Sequence, residues 1–250
     1  MRGSASARLR HVLAGVAFSF SAGAAGAVDL QEPITLQSSK GVLDILIVAK
    51  AAAIPSLSPL NPTGWVYDIC LNPHNGANDC PAVSGSPNLY GGTRLQPSQG
   101  ETLKIHLVNK LPPITDSDHA QDPDEVFLAL NPTNIHTHGL LVSPRYPSKS
   151  DPTYGDNVFV LTFNSANGTP VVSPHIHGVV AFDSTDYSIK IPAHHPSGLY
   201  WFHPHAHGIA LNQVSAGMTG IITIGNVGDY VCNDAGCSNF PRRSGSAISS

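Results

Sequence analysis

Glu101-Thr102-Leu103-Lys104-Ile105-His106-Leu107-Val108-Asn109 alternates polar and apolar side chains over nine residues. A strand turns successive side chains to opposite faces, so Leu103, Ile105 and Leu107 share one inward face. Similar segments recur on both sides of it. Val42 to Val48 is an apolar run of strand length, and Asn134 to Val142, Asn157 to Phe163, Tyr187 to Ile191, Leu199 to His203 and Thr219 to Ile224 follow. Turn clusters separate them at Gln96 to Gly100, Pro144 to Gly155 and His195 to Gly198. Helix signals are scarce: 21 prolines, 23 glycines and only Glu32, Glu101 and Glu125 as glutamates leave one short candidate near Asn212 to Ala216. Many short strands with turn punctuation predict an all-β chain, a sandwich or Greek-key barrel with its core from about residue 34 to 225.

Two of the strands carry paired histidines, His136-Thr137-His138 and His203-Pro204-His205. Residues i and i+2 of a strand project from one face, so two such strands side by side offer four imidazoles to one point. Neutral imidazole suits copper, zinc, iron and nickel. His136, His138, His203 and His205 are therefore the candidate metal ligands. His207 shares their face only if the strand runs on past Pro204, and Gly208 argues against that. The third pair, His175-Ile176-His177, sits among Asn, Gly, Ser and Pro and reads as solvent-facing loop. His194 and His195 occupy a turn, and His74, His106 and His119 have no partner in sequence, so all are taken as non-ligands. Trp201 reads as a core or site-wall residue, and Gln213 as a cap or first residue of the short helix.

The first 27 residues have the form of a secretory signal. Arg2, Arg8 and Arg10 precede an apolar, small-residue run from Val12 to Ala24 and an Ala25-Gly26-Ala27 cleavage site. Residues 1–27 are thus expected to be removed, 28–225 to form the domain and 226–250 to be a linker-like tail, in a secreted or periplasmic protein. Loss of three arginines turns 13 basic against 17 acidic residues into 10 against 17, a formal charge of −7. Such a balance disfavours nucleic acid and anionic membrane surfaces as partners. In an oxidising compartment the four cysteines are expected to form local disulfides, Cys70 with Cys80 and Cys232 with Cys237, although other pairings are formally possible.

The motifs resemble those of a known family. Gly100 to Pro112 is similar to the strand that opens a plastocyanin-like (cupredoxin) domain. Asn134-Ile135-His136-Thr137-His138-Gly139 resembles the first copper motif of multicopper oxidases, the laccase and copper-efflux oxidase family. Leu199-Tyr200-Trp201-Phe202-His203-Pro204-His205-Ala206-His207-Gly208 resembles the second, with Gln213-Val214 and Gly217 to Ile222 following at matching distance. The resemblance covers about residues 34–225 and implies a cupredoxin-like fold and copper as the metal. It implies that His136 serves a type 2 copper, and that His138, His203 and His205 serve a type 3 pair that reduces dioxygen at the expense of a small-molecule or metal-ion donor. The chain departs from the family in having no His-Cys-His sequence and no methionine after Met1 except Met218. A type 1 blue-copper site needs a thiolate with imidazoles, so the expectation is half of a trinuclear site, completed by missing domains or by a partner chain carrying the type 1 copper. A non-catalytic copper-binding or copper-buffering protein is the alternative. Zinc amidohydrolases and cupins also use His-x-His, but the strand–helix alternation of the former and the glutamate ligand of the latter are missing.

Overall fold

The structure is a computed structural model, and it describes residues 33–54, 63–76, 78–81, 93–115, 127–170 and 178–225. The expected signal, the third histidine pair, His119, the tail and Cys232 and Cys237 lie outside these residues. Two sheets face each other. One has strand order β3 (Thr63–Leu71), β2 (Val42–Ala53), β5 (Thr102–Lys110) and β9 (Ser184–Lys190). The other runs β1 (Ile34–Gln37), β4 (Thr93–Gln96), β11 (Gly220–Ile224), β10 (Gly198–His203) and β6 (His136–His138). A parallel pair, β7 (Val160–Phe163) and β8 (Val179–Phe182), stands apart from both. The chain alternates between sheets, which makes the pairings mixed: β2 is parallel to β5 and antiparallel to β3. This is the all-β sandwich expected from the strand pattern, and its mixed sheets are consistent with the cupredoxin-like fold that the resemblance implies.

Leu103, Ile105 and Leu107 of β5 are buried as their alternation requires, opposite Ile189, Tyr187 and Thr185 of β9. They join Leu43, Ile45 and Ile47 of β2 and Phe202, Ile222 and Ile224 of the other sheet in the main core. The middle of β2, Ile45 to Ala49, is continuously apolar because both of its faces are covered there. Its second face, with Leu46 and Val48, packs with Val108 beneath the Cys70–Cys80 disulfide. The bonded cysteines have their Cα atoms 5.7 Å apart, within the normal span of such a bridge.

Three expectations need correcting. The segment Asn134 to Val142 is a strand only over His136–His138, because Gly139 adopts φ +88° and turns the chain out of the sheet. Strand β10 ends at His203, as its expected bounds have it, but Pro204 has no N–H to extend the ladder, so His205 is not on the strand that was expected to carry it with His203. Gln213 does not cap the helix α1 (Ala210–Ala216); it is its buried residue. Its amide donates to Asn131 Oδ1 and the Pro132 carbonyl, both at 2.9 Å, and accepts from the Thr133 hydroxyl at 3.2 Å. Asn109, also buried, donates to the Asn131 and Thr162 carbonyls. Each of these interior polar groups is paired, so the network fixes the segment that leads into β6 instead of penalising it.

Candidate metal centre

The register of β6 against β10 builds the site. His136 lies opposite His203, Thr137 opposite Phe202, and His138 opposite Trp201. The pleat then sorts the side chains: Thr137 and Phe202 face the core and are buried, while His136, His138, Trp201 and His203 share the outer face. The Phe202 ring lies over Gly220, its partner on β11. A Cβ there would stand 2.1 Å from the Phe202 ring.

One ligand atom from each of His136, His138 and His203 falls within 4.8 Å of the others. His138 Nδ1 is 3.2 Å from His203 Nε2, a separation at which two nitrogens share a proton or a cation. His205 stands outside that group of three but beside it, its ring centroid 5.3 Å from that of His136 and 6.0 Å from that of His203. The four sequence-singled imidazoles are thus brought to one place, three of them as a compact triad. His203 is buried, His136 half-buried, and His138 and His205 exposed. His207 is exposed in the turn that follows and is not part of the triad.

The second nitrogens of His136 and His203 are already occupied, which orients those two rings. His136 Nδ1 donates to the carboxylate of Asp156, at 3.1 and 3.2 Å from its two oxygens, leaving Nε2 with its lone pair. Asp156 is buried and also accepts from the Thr137 N–H at 2.8 Å. His203 Nδ1 donates to the Pro204 carbonyl at 2.8 Å. Burial holds the His203 imidazole below its ordinary pKa, and the three neighbouring imidazoles push the same way against that carbonyl bond. His203 is therefore neutral at pH 7, the form that ligates metals. Trp201 stacks on His203 with centroids 4.1 Å apart and lies 5.0 Å from His138, forming a wall of the site.

Asp156 escaped the sequence reading. It is twenty residues from His136 and closes a turn-rich stretch in which an acidic residue carries no periodic signal. His195, expected in a turn, is a satisfied interior residue. Its Nε2 accepts from the Leu141 N–H at 2.9 Å and its Nδ1 donates to the Pro196 carbonyl, which pins the chain leaving His138. His106 also has a partner, Asp186, at 2.7 Å. That pair, with Asp44 and His74, lines a surface cavity of about 400 Å³ on the opposite sheet. The imidazole triad is the only group of three or more potential metal ligands among the described residues.

Comparison with known proteins adds the following. No family model matches the chain, and no curated protein does. Among solved structures it is similar to a multicopper oxidase from Campylobacter jejuni described as a metallo-oxidase, at 20% identity and a TM-score of 0.45, covering 78% of this chain and 29% of that one. A multicopper oxidase from Pediococcus acidilactici gives 18% identity and a TM-score of 0.46, with 86% and 31% covered. McoA from Aquifex aeolicus gives 21% and 0.44, with 78–79% and 29% covered in two structures, at a TM-score of 0.42 in the second. These neighbours are multicopper oxidases. The chain spans about 30% of their length.

Proposed function

We propose that this chain is a copper-binding domain of multicopper oxidase type, with His136, His138, His203 and His205 holding copper as half of a trinuclear type 2/type 3 site. The observation that carries the reading is the convergence of both His-x-His pairs on one face of one sheet, with a triad of ligand atoms inside 4.8 Å. The donor set fits. Neutral imidazoles on ordered backbone, with a carboxylate and a carbonyl behind two of them, suit copper, and the family motifs select copper over zinc. Copper bound there supplies one-electron steps between a donor and dioxygen. The chain's own residues do the rest: Asp156 keeps the proton on His136 Nδ1, the Pro204 carbonyl keeps it on His203 Nδ1, and Trp201 shields the flank of both His138 and His203.

The described cysteines are bonded to each other, so neither offers a thiolate. Electron entry through a type 1 copper is therefore assigned to further domains or to a partner chain, and oxidation of a small-molecule or metal-ion donor to the completed assembly. Residues 1–27 are proposed as an export signal, 28–225 as the domain and 226–250 as its tail, placing the protein in the periplasm or outside the cell. No helix among the described residues is long and apolar enough to cross a membrane. A non-catalytic copper-buffering role is the second reading, favoured by the exposure of His138 and His205, which lets copper enter and leave directly.

Copper titration of the mature chain tests the proposal. Alanine at His136, His138, His203 and His205 together is expected to abolish most copper binding, with no intense blue band in the parent and negligible dioxygen uptake by the chain alone. Undiminished copper stoichiometry in the fourfold variant overturns the ligand assignment. Dioxygen uptake on adding a type 1 copper partner favours the oxidase reading over buffering.

A further inference from the structure

Pro204 creates a difficulty for the site that the structure resolves in an unexpected place. A ladder of hydrogen bonds holds β10 only as far as His203. His205 lies beyond the proline, off the sheet, where no strand pairing can fix it. Yet its ring is brought to 5.3 Å from that of His136.

Asn134 makes the connection. It is fully buried, two residues before His136. Its Oδ1 accepts from the His205 backbone N–H at 2.6 Å, and its Nδ2 donates to the Val158 carbonyl at 2.8 Å. Its own carbonyl accepts from the hydroxyl of Tyr67, a core residue of β3, at 3.0 Å. One amide thus ties three stretches of chain: its own, which continues into His136 and His138; the one carrying Asp156, two residues before Val158; and the one carrying His205. The hydroxyl of Tyr67 anchors the knot to the core.

We propose that Asn134 is a positioning residue for the metal centre: its side-chain oxygen replaces the strand hydrogen bond that Pro204 forbids, and so sets His205 against His136. This deepens the copper reading and rests on it. An apolar side chain of similar size would fill the space but leave the His205 N–H free to rotate away. The side-chain oxygen is what holds His205, so aspartate preserves that contact and alanine does not.

The test combines Asn134→Ala, Asn134→Asp, His205→Ala and the Asn134→Ala/His205→Ala double variant. Copper affinity is measured by competition with a chromogenic chelator, and amide hydrogen exchange is followed in the metal-free chain. Asn134→Ala is expected to weaken copper binding about tenfold or more, in line with other residues that orient ligands. That loss should vanish in the His205→Ala background, because the two act through one contact. His205 amide exchange should accelerate by about tenfold while core amides keep their protection. Asn134→Asp, which retains the acceptor oxygen but can donate to the Val158 carbonyl only as the neutral acid, should bind copper more tightly than Asn134→Ala. An equal loss of affinity in both backgrounds, or an unchanged His205 exchange rate, overturns the proposal. If Asn134→Ala does not fold, His205 amide exchange in Asn134→Asp decides: a parent-like rate supports the clamp, and an acceleration of about tenfold refutes it. If His205→Ala leaves copper binding unchanged, the assignment of His205 as a ligand fails on its own, and the exchange measurement still settles whether Asn134 holds His205.

Discussion

His136 and His138 could be placed from the sequence because a strand has a period of two, and both do project from one face. His205 reaches the same neighbourhood by a different route. Pro204 ends the strand, and a buried hydrogen bond from Asn134 takes over. The spacing therefore points to a residue that does stand beside the triad, without showing how it is held. Asp156 was not legible at all, since a long-range bond from a turn to an imidazole has no local pattern. Its role gives a prediction. Asp156→Ala removes the acceptor of both His136 Nδ1 and the Thr137 N–H. Copper affinity should fall about 10- to 100-fold, and the orphaned N–H should cost about 1–3 kcal/mol of stability. Asp156→Asn, which keeps an acceptor oxygen, should lose less on both counts. Chelator competition and denaturant unfolding measure the two effects, and an Asp156→Ala affinity equal to the parent's would show that His136 is oriented by something else.

At the scale of elements, legibility followed burial. Strand β5 has one buried face and a clean alternation, so its inner residues could be named outright. Strands β1 and β4 have four residues each, too few to display a period. Strand β3 was missed for another reason. Both of its faces are partly covered, which erases the alternation, and Cys70 within it reads as part of a turn-rich loop. The outer face of the sheet that holds β5 carries a pH dependence. The Asp186 carboxylate beside His106 raises the imidazole's pKa by its hydrogen bond, with Asp44 adding to it against partial desolvation. Lys104 and His74 share that surface. The pair stabilises the fold fully below the unfolded pKa of about 6.5, and this contribution is lost as pH rises through the higher folded value. Asp186→Asn should therefore lower the melting temperature near pH 5.5 and leave it nearly unchanged near pH 9. An equal loss at both would mean that charge plays no part.

For the whole molecule, the all-β class followed from strand length and turn density, and the sandwich follows from placing every alternating segment's apolar face on one interior. The pairing of β6 with β10 did not follow, because the two are sixty residues apart and β6 is three residues long. That pairing is nonetheless what converts two sequence motifs into a site. A second, smaller cluster of Leu128, Leu161, Phe163, Ala206 and Ile209 seats the turn after His205, so the site rests on both cores. An external cysteine bridge at Cys70–Cys80 covers the far face of β2, and its removal by Cys70→Ser with Cys80→Ser should cost about 2–4 kcal/mol in denaturant unfolding. A neutral outcome would mean that Leu46, Val48 and Val108 are covered well enough without it.

The most direct measurement is an anomalous difference map, recorded at the copper edge from copper-loaded crystals of the mature chain. The expected result is density bounded by His136, His138, His203 and His205. Copper seated elsewhere, such as beside His74 and His106 on the opposite sheet, with nothing among the four imidazoles, would contradict it.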